Sequence, residues 1–261
     1  MPTFVSVPVN GSPMEIYLDR PERNAPGPAI VLMYHRDGID AFTKRVAGKL
    51  AAAGYLVAVP DVSHRVSRDI PMPDRKQFFK DSEVVADIRA ACDHLRGRPD
   101  VDKDKLVVMG HCMGGRMALL GAGVLPEQFS GAVVYYGGGV HLSWGGEAKT
   151  PFDTLGGIRC PVIGFFGNED KNPSPEQVNR IDAELTRHGV VHAFHRYDNA
   201  GHGFQNRTPG TPGEQAAAED SWSKTFAFLG SVPGGAARSV LRDRRLPGEP
   251  SEHGVAGLPG E

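Results

Sequence analysis

The sequence predicts an α/β fold with a mostly parallel sheet, an N-terminal antiparallel hairpin and helices on both faces. Short apolar runs, typical of strands buried on both faces, alternate with segments of helical spacing. This alternation is typical of a parallel sheet wrapped by helices. The chain has 261 residues, a length that open α/β folds commonly use for one domain.

The N-terminus is predicted to form a β-hairpin. Phe4–Val9 and Met14–Leu18 are rich in residues that favour strands, and Asn10-Gly11 between them tolerates the positive φ of a tight turn. Pro8 weakens the first strand, because proline has no N–H for pairing, and places it at the sheet edge. We therefore expect an antiparallel pair that leads into the parallel sheet.

The remaining elements follow from the apolar pattern. Six more strands are predicted, at Ala29–Tyr34, Tyr55–Val59, Lys105–Met109, Gly131–Tyr136, Val162–Phe166 and Val191–Tyr197. Helices are predicted at Ala41–Ala53, Asp81–Arg96, Gly114–Val124 and Pro175–His188, and a last one covers about Glu214–Leu229.

Residues 1–230 are expected to form one domain without a separate cap domain. The long glycine-rich connection Gly137–Gly157 is a candidate functional loop, since loops of this length inside compact domains often have a function. Residues 231–261 contain six Gly, four Pro and no aromatic residue. We therefore expect a disordered Gly/Pro/Arg-rich tail.

The composition excludes several classes of partner. The chain has 29 Lys and Arg against 31 Asp and Glu, which gives a formal charge of −2, so neither nucleic acid nor a membrane surface is a favoured partner. No run approaches the roughly 18–20 apolar residues of a membrane span, and the N-terminus does not resemble a secretory signal. Three cysteines predict a reducing, cytoplasmic location. The expected partner is a small molecule, and the chain is expected to be a monomer or a homodimer.

The strongest motif is the segment Gly110-His-Cys-Met-Gly-Gly115. A buried strand ends just before it and a helix follows, so the segment matches the strand–turn–helix pattern G-x-C-x-G-G with Cys112 as nucleophile. The turn presents the Met113 N–H and the positive helix end near the sulfur, where they stabilise a thiolate or an oxyanion. The alternative is a buried structural cysteine, which is the interpretation we prefer for Cys92 and Cys160.

A nucleophile needs a base and an acid that orients the base, and both have candidates downstream. Asp170 follows a predicted strand, and the glycine-flanked His202 follows the next one. Because the carboxyl ends of parallel strands meet at one edge of the sheet, we expect these side chains to meet Cys112 there. Glu169 is the competing acid, and we prefer Asp170.

These residues resemble the dienelactone hydrolase family of α/β-hydrolases over roughly Pro2–Leu229. The sharpest matches are the nucleophile segment above, Phe166-Gly-Asn-Glu-Asp170 and Gly201-His-Gly-Phe204. The resemblance implies the α/β-hydrolase fold and cleavage of a small ester, lactone or enol lactone through a thioester intermediate.

The resemblance also implies a role for each catalytic residue. Cys112 is the expected nucleophile, His202 the general base and then acid, and Asp170 the residue that fixes the histidine tautomer. The N–H groups of Met113 and Arg36 are the expected oxyanion hole.

One position departs from the family pattern. Members of the family proper carry a glutamate where this chain has His35, in the segment Tyr34-His-Arg-Asp-Gly38. We expect His35 near the sulfur, where an imidazolium would favour the thiolate or a neutral ring would bond the thiol. The alternative is a histidine that only shapes the pocket.

The candidates for substrate binding rest on weaker signals. The resemblance implies arginines that bind a substrate carboxylate, and Arg65 matches one of them. Arg207 falls one residue away from the second family position. Arg36 is a third candidate, and the aromatic residues Tyr136 and Trp144, with Phe152, are candidates for lining the pocket.

No metal or other cofactor is expected. The sequence has no C-x-x-C or H-E-x-x-H spacing, and Gly110–Gly115 lacks the G-x-G start of a dinucleotide loop. Two alternatives to the hydrolase remain: a non-catalytic protein that binds a small ligand in the same pocket, and an acyl transferase with the same triad.

Overall fold

A computed structural model of the protein describes residues 2–22 and 25–232. The strands, in chain order, are β1 (Thr3–Val9), β2 (Ser12–Asp19), β3 (Gly27–Met33), β4 (Leu56–Pro60), β5 (Val101–His111), β6 (Gly131–Tyr135), β7 (Val162–Gly167) and β8 (His192–Tyr197). The helices are α1 (Ala41–Ala52), α2 (Asp81–Arg96), α3 (Met113–Val124), α4 (Pro175–Arg187) and α5 (Pro212–Ser231). Two short 3-10 helices cover Met72–Phe78 and Phe152–Gly157.

All eight strands belong to one sheet with the order β1-β2-β4-β3-β5-β6-β7-β8. The hairpin strand β1 pairs antiparallel with β2, which pairs antiparallel with β4. The pairs from β4 through β3 to β8 are all parallel. The expected mostly parallel sheet with an antiparallel N-terminal hairpin is confirmed.

The strand order explains why helices cover both faces. The chain moves in one direction along the sheet from β3 to β4, and in the opposite direction from β4 to β5, so right-handed crossovers place α1 and α2 on opposite faces. On the α1 face, Lys49 lies 4.2 Å from the ring centroid of Trp222 in α5. On the α2 face, Ile88 packs against Gly121 of α3.

The core forms where the sequence is most continuously apolar. Every residue of β4, β6 and β7 is buried, as expected for strands covered on both faces. In α4 the buried residues Val178, Ile181 and Leu185 recur at helical spacing on one stripe, and the remaining positions are mostly polar. Burial of these faces is the main contribution to folding stability.

Reciprocal side-chain hydrogen bonds fix the positions at which α4 and α5 begin. Ser174 caps α4, because its side-chain oxygen accepts a hydrogen bond from the Gln177 backbone N–H. The Gln177 side-chain oxygen in turn accepts one from the Ser174 backbone N–H. Thr211 and Glu214 form the same reciprocal pair at the start of α5. These capping boxes explain why α5 begins at Pro212, before the expected start.

Most predicted element ends lie within a few residues of the observed ones, and three larger differences have a physical reason. Strand β5 begins at Val101, earlier than the apolar run, because residues 101–105 extend its polar end. The 3-10 helix at Met72–Phe78 lacks a buried residue and therefore gives no periodic signal. Helix α5 continues to Ser231, and the rest of the expected tail, from Pro233 onward, lies outside the described residues.

Candidate active site

Cys112 occupies the sharp turn between β5 and α3. Its backbone has φ 55 and ψ −121, a strained conformation for a residue with a side chain. A Cβ added to Gly110 would lie 2.1 Å from the Gly114 carbonyl oxygen, and one added to Gly114 would lie 2.0 Å from the Met33 carbonyl oxygen. Both positions therefore require glycine, because any other side chain would collide with a backbone carbonyl group.

Asp170 lies after β7 and is 5% exposed. Its Oδ1 atom accepts the backbone N–H of Asn172 at 2.8 Å, which fixes the carboxylate, and its Oδ2 atom lies 2.8 Å from Nδ1 of His202. Glu169, the competing acid, lines a cavity nearby, and its backbone N–H donates to the Ala200 carbonyl. The carboxylate that contacts the histidine is therefore that of Asp170.

His202 joins the acid to the nucleophile. Its Nε2 atom lies 2.9 Å from the Cys112 Sγ, so the three side chains form one continuous line of contacts. Burial disfavours the charged form of His202, but hydrogen bonds and charges from Asp170 and Cys112 outweigh it and raise the pKa of the imidazole to about 10. An imidazolium here stabilises a thiolate on Cys112.

Two cavities meet at this line of contacts. The larger has a volume of about 1060 Å³, and five Lys or Arg side chains lie along it: Arg36, Lys76, Arg116, Lys171 and Arg207. The smaller, of about 240 Å³, lies beside His35, Phe42 and Tyr136. Cys112 and His202 line both cavities, as do Arg36 and Arg207, so a reacting group bound in either cavity meets the nucleophile.

His35 lines the smaller cavity, but its imidazole faces carboxylates. Nε2 lies 3.1 Å from Asp40 Oδ1, and Nδ1 lies 3.4 Å from Asp37 Oδ2. The ring also packs edge-on against Phe42. The residue at the family's glutamate position thus lies beside two acids, while the polar contact of the Cys112 sulfur is His202.

Of the expected substrate-binding residues, some line the two cavities and one does not. Arg65 does not line either of the two cavities, because its guanidinium forms a bidentate pair with the buried Asp87 at 2.9 and 2.8 Å. Arg207 lines both cavities, and its Nε atom lies 3.0 Å from Glu214 Oε1. Trp144 lines the larger cavity, and Tyr136 lines the smaller one.

A buried arginine that sequence reasoning missed shapes the larger cavity. Arg116 is 1% exposed and makes a bidentate pair with Asp81 at 2.6 and 3.0 Å. It also donates to the carbonyls of Gly139 and Leu142, and its Cζ lies 3.7 Å from the Trp144 ring centroid. Arg116 therefore anchors the glycine-rich connection. Its position in an otherwise apolar helix was the available signal.

The other cysteines are remote from this chemistry. Cys92 and Cys160 are both buried, and burial raises the pKa of the Cys92 thiol. Within the described residues, acids, histidines and cysteines do not gather in groups of three or more that would suit a metal ion. In the same part of the chain, the helices are too short or too polar to cross a bilayer.

A strained cysteine turn in a mostly parallel sheet, with the acid and histidine on later loops of the same edge, places this protein among the α/β-hydrolases. The sequence model of the dienelactone hydrolase family matches residues 14–232, and the chain belongs to this family. It is therefore an enzyme of the class that hydrolyses carboxylic esters and lactones.

Individual relatives agree with this membership. A carboxymethylenebutenolidase of Rhodococcus opacus is 29% identical over 240 residues, which cover 87% of this chain and 92% of that protein. The crystal structure of a candidate dienelactone hydrolase from Klebsiella pneumoniae subsp. pneumoniae has a TM-score of 0.79 and 25% identity, and the match covers 88% of this chain and 98% of that one. An acylaminoacyl peptidase of Pyrococcus horikoshii shares the fold, with a TM-score of 0.73, 14% identity and 90% and 42% coverage.

Proposed function

We propose that the protein hydrolyses a small ester, lactone or enol lactone through a thioester on Cys112. The observation that carries this proposal is the line of contacts from Asp170 through His202 to the Cys112 sulfur, at 2.8 and 2.9 Å. A nucleophile, a base and an acid that orients the base are the parts that acyl transfer requires.

The first half of the reaction forms the thioester. The thiolate of Cys112 donates an electron pair to the substrate carbonyl carbon, and the C=O π electrons move to the oxygen. When this tetrahedral intermediate collapses, the C–O bond to the leaving alcohol breaks, and the imidazolium of His202 gives its Nε2 proton to that oxygen. Asp170 stabilises the imidazolium and holds its Nδ1–H in place.

The second half releases the acid. Neutral His202 takes a proton from water, the hydroxide attacks the thioester carbon, and collapse breaks the C–S bond and returns the electron pair to Cys112. The backbone N–H groups of Met113 and Arg36 are the proposed donors to both oxyanions. Met113 is the first residue of α3, so its N–H lacks an intrahelical acceptor, and both residues line the larger cavity.

The walls of the larger cavity favour a substrate with a carboxylate. Arg36 is the most available of the arginines beside Cys112, because its side chain is 61% exposed and its nearest acid, Asp37, lies 3.6 Å away. Arg207 forms an ion pair with Glu214, and Arg65 forms one with Asp87. By name, the Rhodococcus opacus relative acts on a lactone that carries a carboxymethylene group, which fits a basic wall.

Turnover and trapping of the acyl group test this function. Wild-type protein is expected to hydrolyse a carboxymethylene-butenolide and p-nitrophenyl acetate, and Cys112→Ala is expected to abolish both activities. Rapid acid quench followed by mass spectrometry is expected to find the acyl group on the peptide that contains Cys112. Turnover by Cys112→Ala at the wild-type rate, or an acyl group on another residue, would show that the proposal is wrong.

A further inference from the structure

Tyr136 has a buried hydroxyl that lacks a hydrogen-bond partner among the described residues. The side chain is 1% exposed, and its ring packs edge-on against His202 with 5.1 Å between the ring centroids. Tyr136 also lines the smaller cavity together with Cys112. A buried hydroxyl without a partner destabilises a fold, so its presence beside Cys112 points to a role outside folding.

The backbone of Tyr136, like that of Cys112, has a positive φ. In the described part of the chain, four non-glycine residues have positive φ, and two of them are asparagines, which tolerate this conformation. The other two are Cys112, at φ 55, and Tyr136, at φ 37. Strained residues of types that do not favour such a conformation cluster at catalytic sites.

The strand register places these two strained residues next to each other. His111, the last residue of β5, is paired with Tyr135, the last residue of β6. Cys112 and Tyr136 directly follow these neighbouring strands, and the Cys112 N–H donates to the Tyr135 carbonyl at 3.0 Å. The parallel register thus brings the backbones of Cys112 and Tyr136 together, and both residues line the smaller cavity.

The phenol remains a hydrogen-bond donor at any working pH. Burial is the largest cause that raises the pKa of Tyr136 well above its usual value, and the negative charge of Cys112 is the next one. Charges at Tyr135 and Asp170 act in the same direction. The hydroxyl therefore keeps its proton and lies within the electrostatic influence of the Cys112 sulfur.

We propose that the Tyr136 hydroxyl donates a hydrogen bond to the Cys112 sulfur while the sulfur is a thiolate. His202 contacts the sulfur from one side, and a thiolate has further lone pairs for a second donor. Cys112 and Tyr136 both line the smaller cavity, so the second donor would approach the sulfur from that cavity. This inference rests on the proposed nucleophile.

The second donor acts when the thioester is cleaved. Collapse of the second tetrahedral intermediate breaks the C–S bond, and the electron pair of this bond becomes the charge of the Cys112 thiolate. The proton taken from water resides on His202 at this point, and Tyr136 keeps its own proton throughout. The phenol therefore stabilises the departing thiolate as a donor, without proton transfer.

Two neighbouring tyrosines provide a matched experiment. Tyr136→Phe removes only the orphan hydroxyl and keeps the ring packing. Tyr135→Phe removes a hydroxyl that is equally buried but satisfied, because it donates to the Ser221 carbonyl and contacts the Thr225 hydroxyl. The ultraviolet absorbance of the thiolate against pH, the rate of Cys112 alkylation by iodoacetamide and the unfolding temperature are measured for both variants, with Cys112→Ser as the blank.

The proposal gives opposite results for the two variants. Tyr136→Phe is expected to form the thiolate at higher pH and to slow alkylation and kcat by about tenfold, the effect of one hydrogen bond to a charged group, while its unfolding temperature stays the same or rises. Tyr135→Phe is expected to unfold at lower temperature with an unchanged thiolate titration.

Two outcomes would overturn the proposal. One is an unchanged thiolate titration and alkylation rate in Tyr136→Phe. The other is slower turnover with an unchanged titration, which would assign the hydroxyl to the substrate. Full activity of Cys112→Ala would instead contradict the proposed function, and the thiolate titration would still report separately on Tyr136.

Discussion

The Nε2 atom of His111 lies 2.8 Å from the Oε1 atom of Gln205, and this contact joins the segment before Cys112 to the segment after His202. Burial lowers the pKa of His111 to about 3, so the ring is neutral and its Nε2–H donates to the amide oxygen. The Gln205 amide nitrogen then donates to the Ser221 hydroxyl at 3.0 Å. The loop that carries the proposed base is thus tied to the strand that carries the proposed nucleophile.

Gln205→Leu is expected to loosen this connection. The variant leaves a buried His111 donor unsatisfied, which costs about 1–3 kcal/mol in the free energy of unfolding. Because His202 loses its anchor, kcat is expected to fall while KM changes little. Urea denaturation and steady-state kinetics measure the two effects. Gln215→Leu is the control, because it breaks only an exposed hydrogen bond to the Gly210 carbonyl, and it is expected to change kcat and the free energy of unfolding little.

Asp170→Asn is expected to lower kcat by about 10⁴, the loss seen when the orienting acid of a serine triad is replaced in this way. The amide cannot stabilise the imidazolium, and it favours the wrong tautomer of His202. Steady-state kinetics with a chromogenic ester measure the loss. Glu169→Gln is the matched control, since Glu169 is adjacent in sequence but does not contact the histidine. A larger loss from Glu169→Gln than from Asp170→Asn would reverse the assignment.

The pH dependence of kcat/KM reports on the same contact. The pKa of His202 is raised to about 10, so the imidazolium is present below that pH and is lost as the pH rises through it. We therefore expect kcat/KM to fall on the alkaline side near pH 10, where the general acid disappears. In Asp170→Asn a cause of the raised pKa is removed, so the alkaline limb is expected to move to lower pH. An alkaline limb at the same pH in Asp170→Asn would show that Asp170 does not raise the pKa that determines this limb.

Two arginines are expected to behave in opposite ways. Arg36→Met is expected to raise KM for a lactone that carries a carboxylate, by about tenfold for the loss of one charged hydrogen bond, and to leave KM for p-nitrophenyl acetate unchanged. Arg65→Met leaves Asp87 buried without its bidentate partner, so it is expected to lower the free energy of unfolding by about 3–5 kcal/mol with little effect on KM. A specific rise in KM for the carboxylate substrate in Arg65→Met would restore the family role to this residue.

Arg116→Met is expected to destabilise the glycine-rich connection and the fold together. It removes one partner of a buried ion pair, which costs about 3–5 kcal/mol, and it releases the carbonyls of Gly139 and Leu142. Chemical denaturation measures the loss. Lys80→Met breaks an exposed pair with Glu83 and is expected to cost at most about 1 kcal/mol. The double variant with Asp81→Leu is expected to recover part of the loss, because a charge is no longer left alone.

The apolar pattern was sufficient to predict the sheet and its helices. Buried strands such as β6 and β7 are continuous apolar runs, and the alternation with helices leaves few topologies. The contact between Asp170 and His202 followed from the position of both residues after parallel strands. Element ends were less predictable, because the reciprocal cap at Thr211 and Glu214 depends on side-chain geometry and not on periodicity.

The apolar pattern and the motifs did not predict which side chains line the cavities. Arg65 has the residue type expected of a carboxylate-binding residue, but Asp87, one buried position on α2, takes up its charge. The partner of Arg116 is likewise 35 positions away in the chain. A sequence motif reports what a side chain is able to bind, and the nearest buried counter-charge decides what it does bind.

The backbone contacts beneath Gly110 and Gly114 have a practical consequence for engineering. A library that varies these glycines discards nearly all of its members at the folding step, since even alanine collides with main-chain carbonyls. The exposed wall formed by Lys76, Gln77 and Leu142 has no such constraint and faces the larger cavity. Selection for new substrates is therefore best confined to this wall, with the reactive turn left intact.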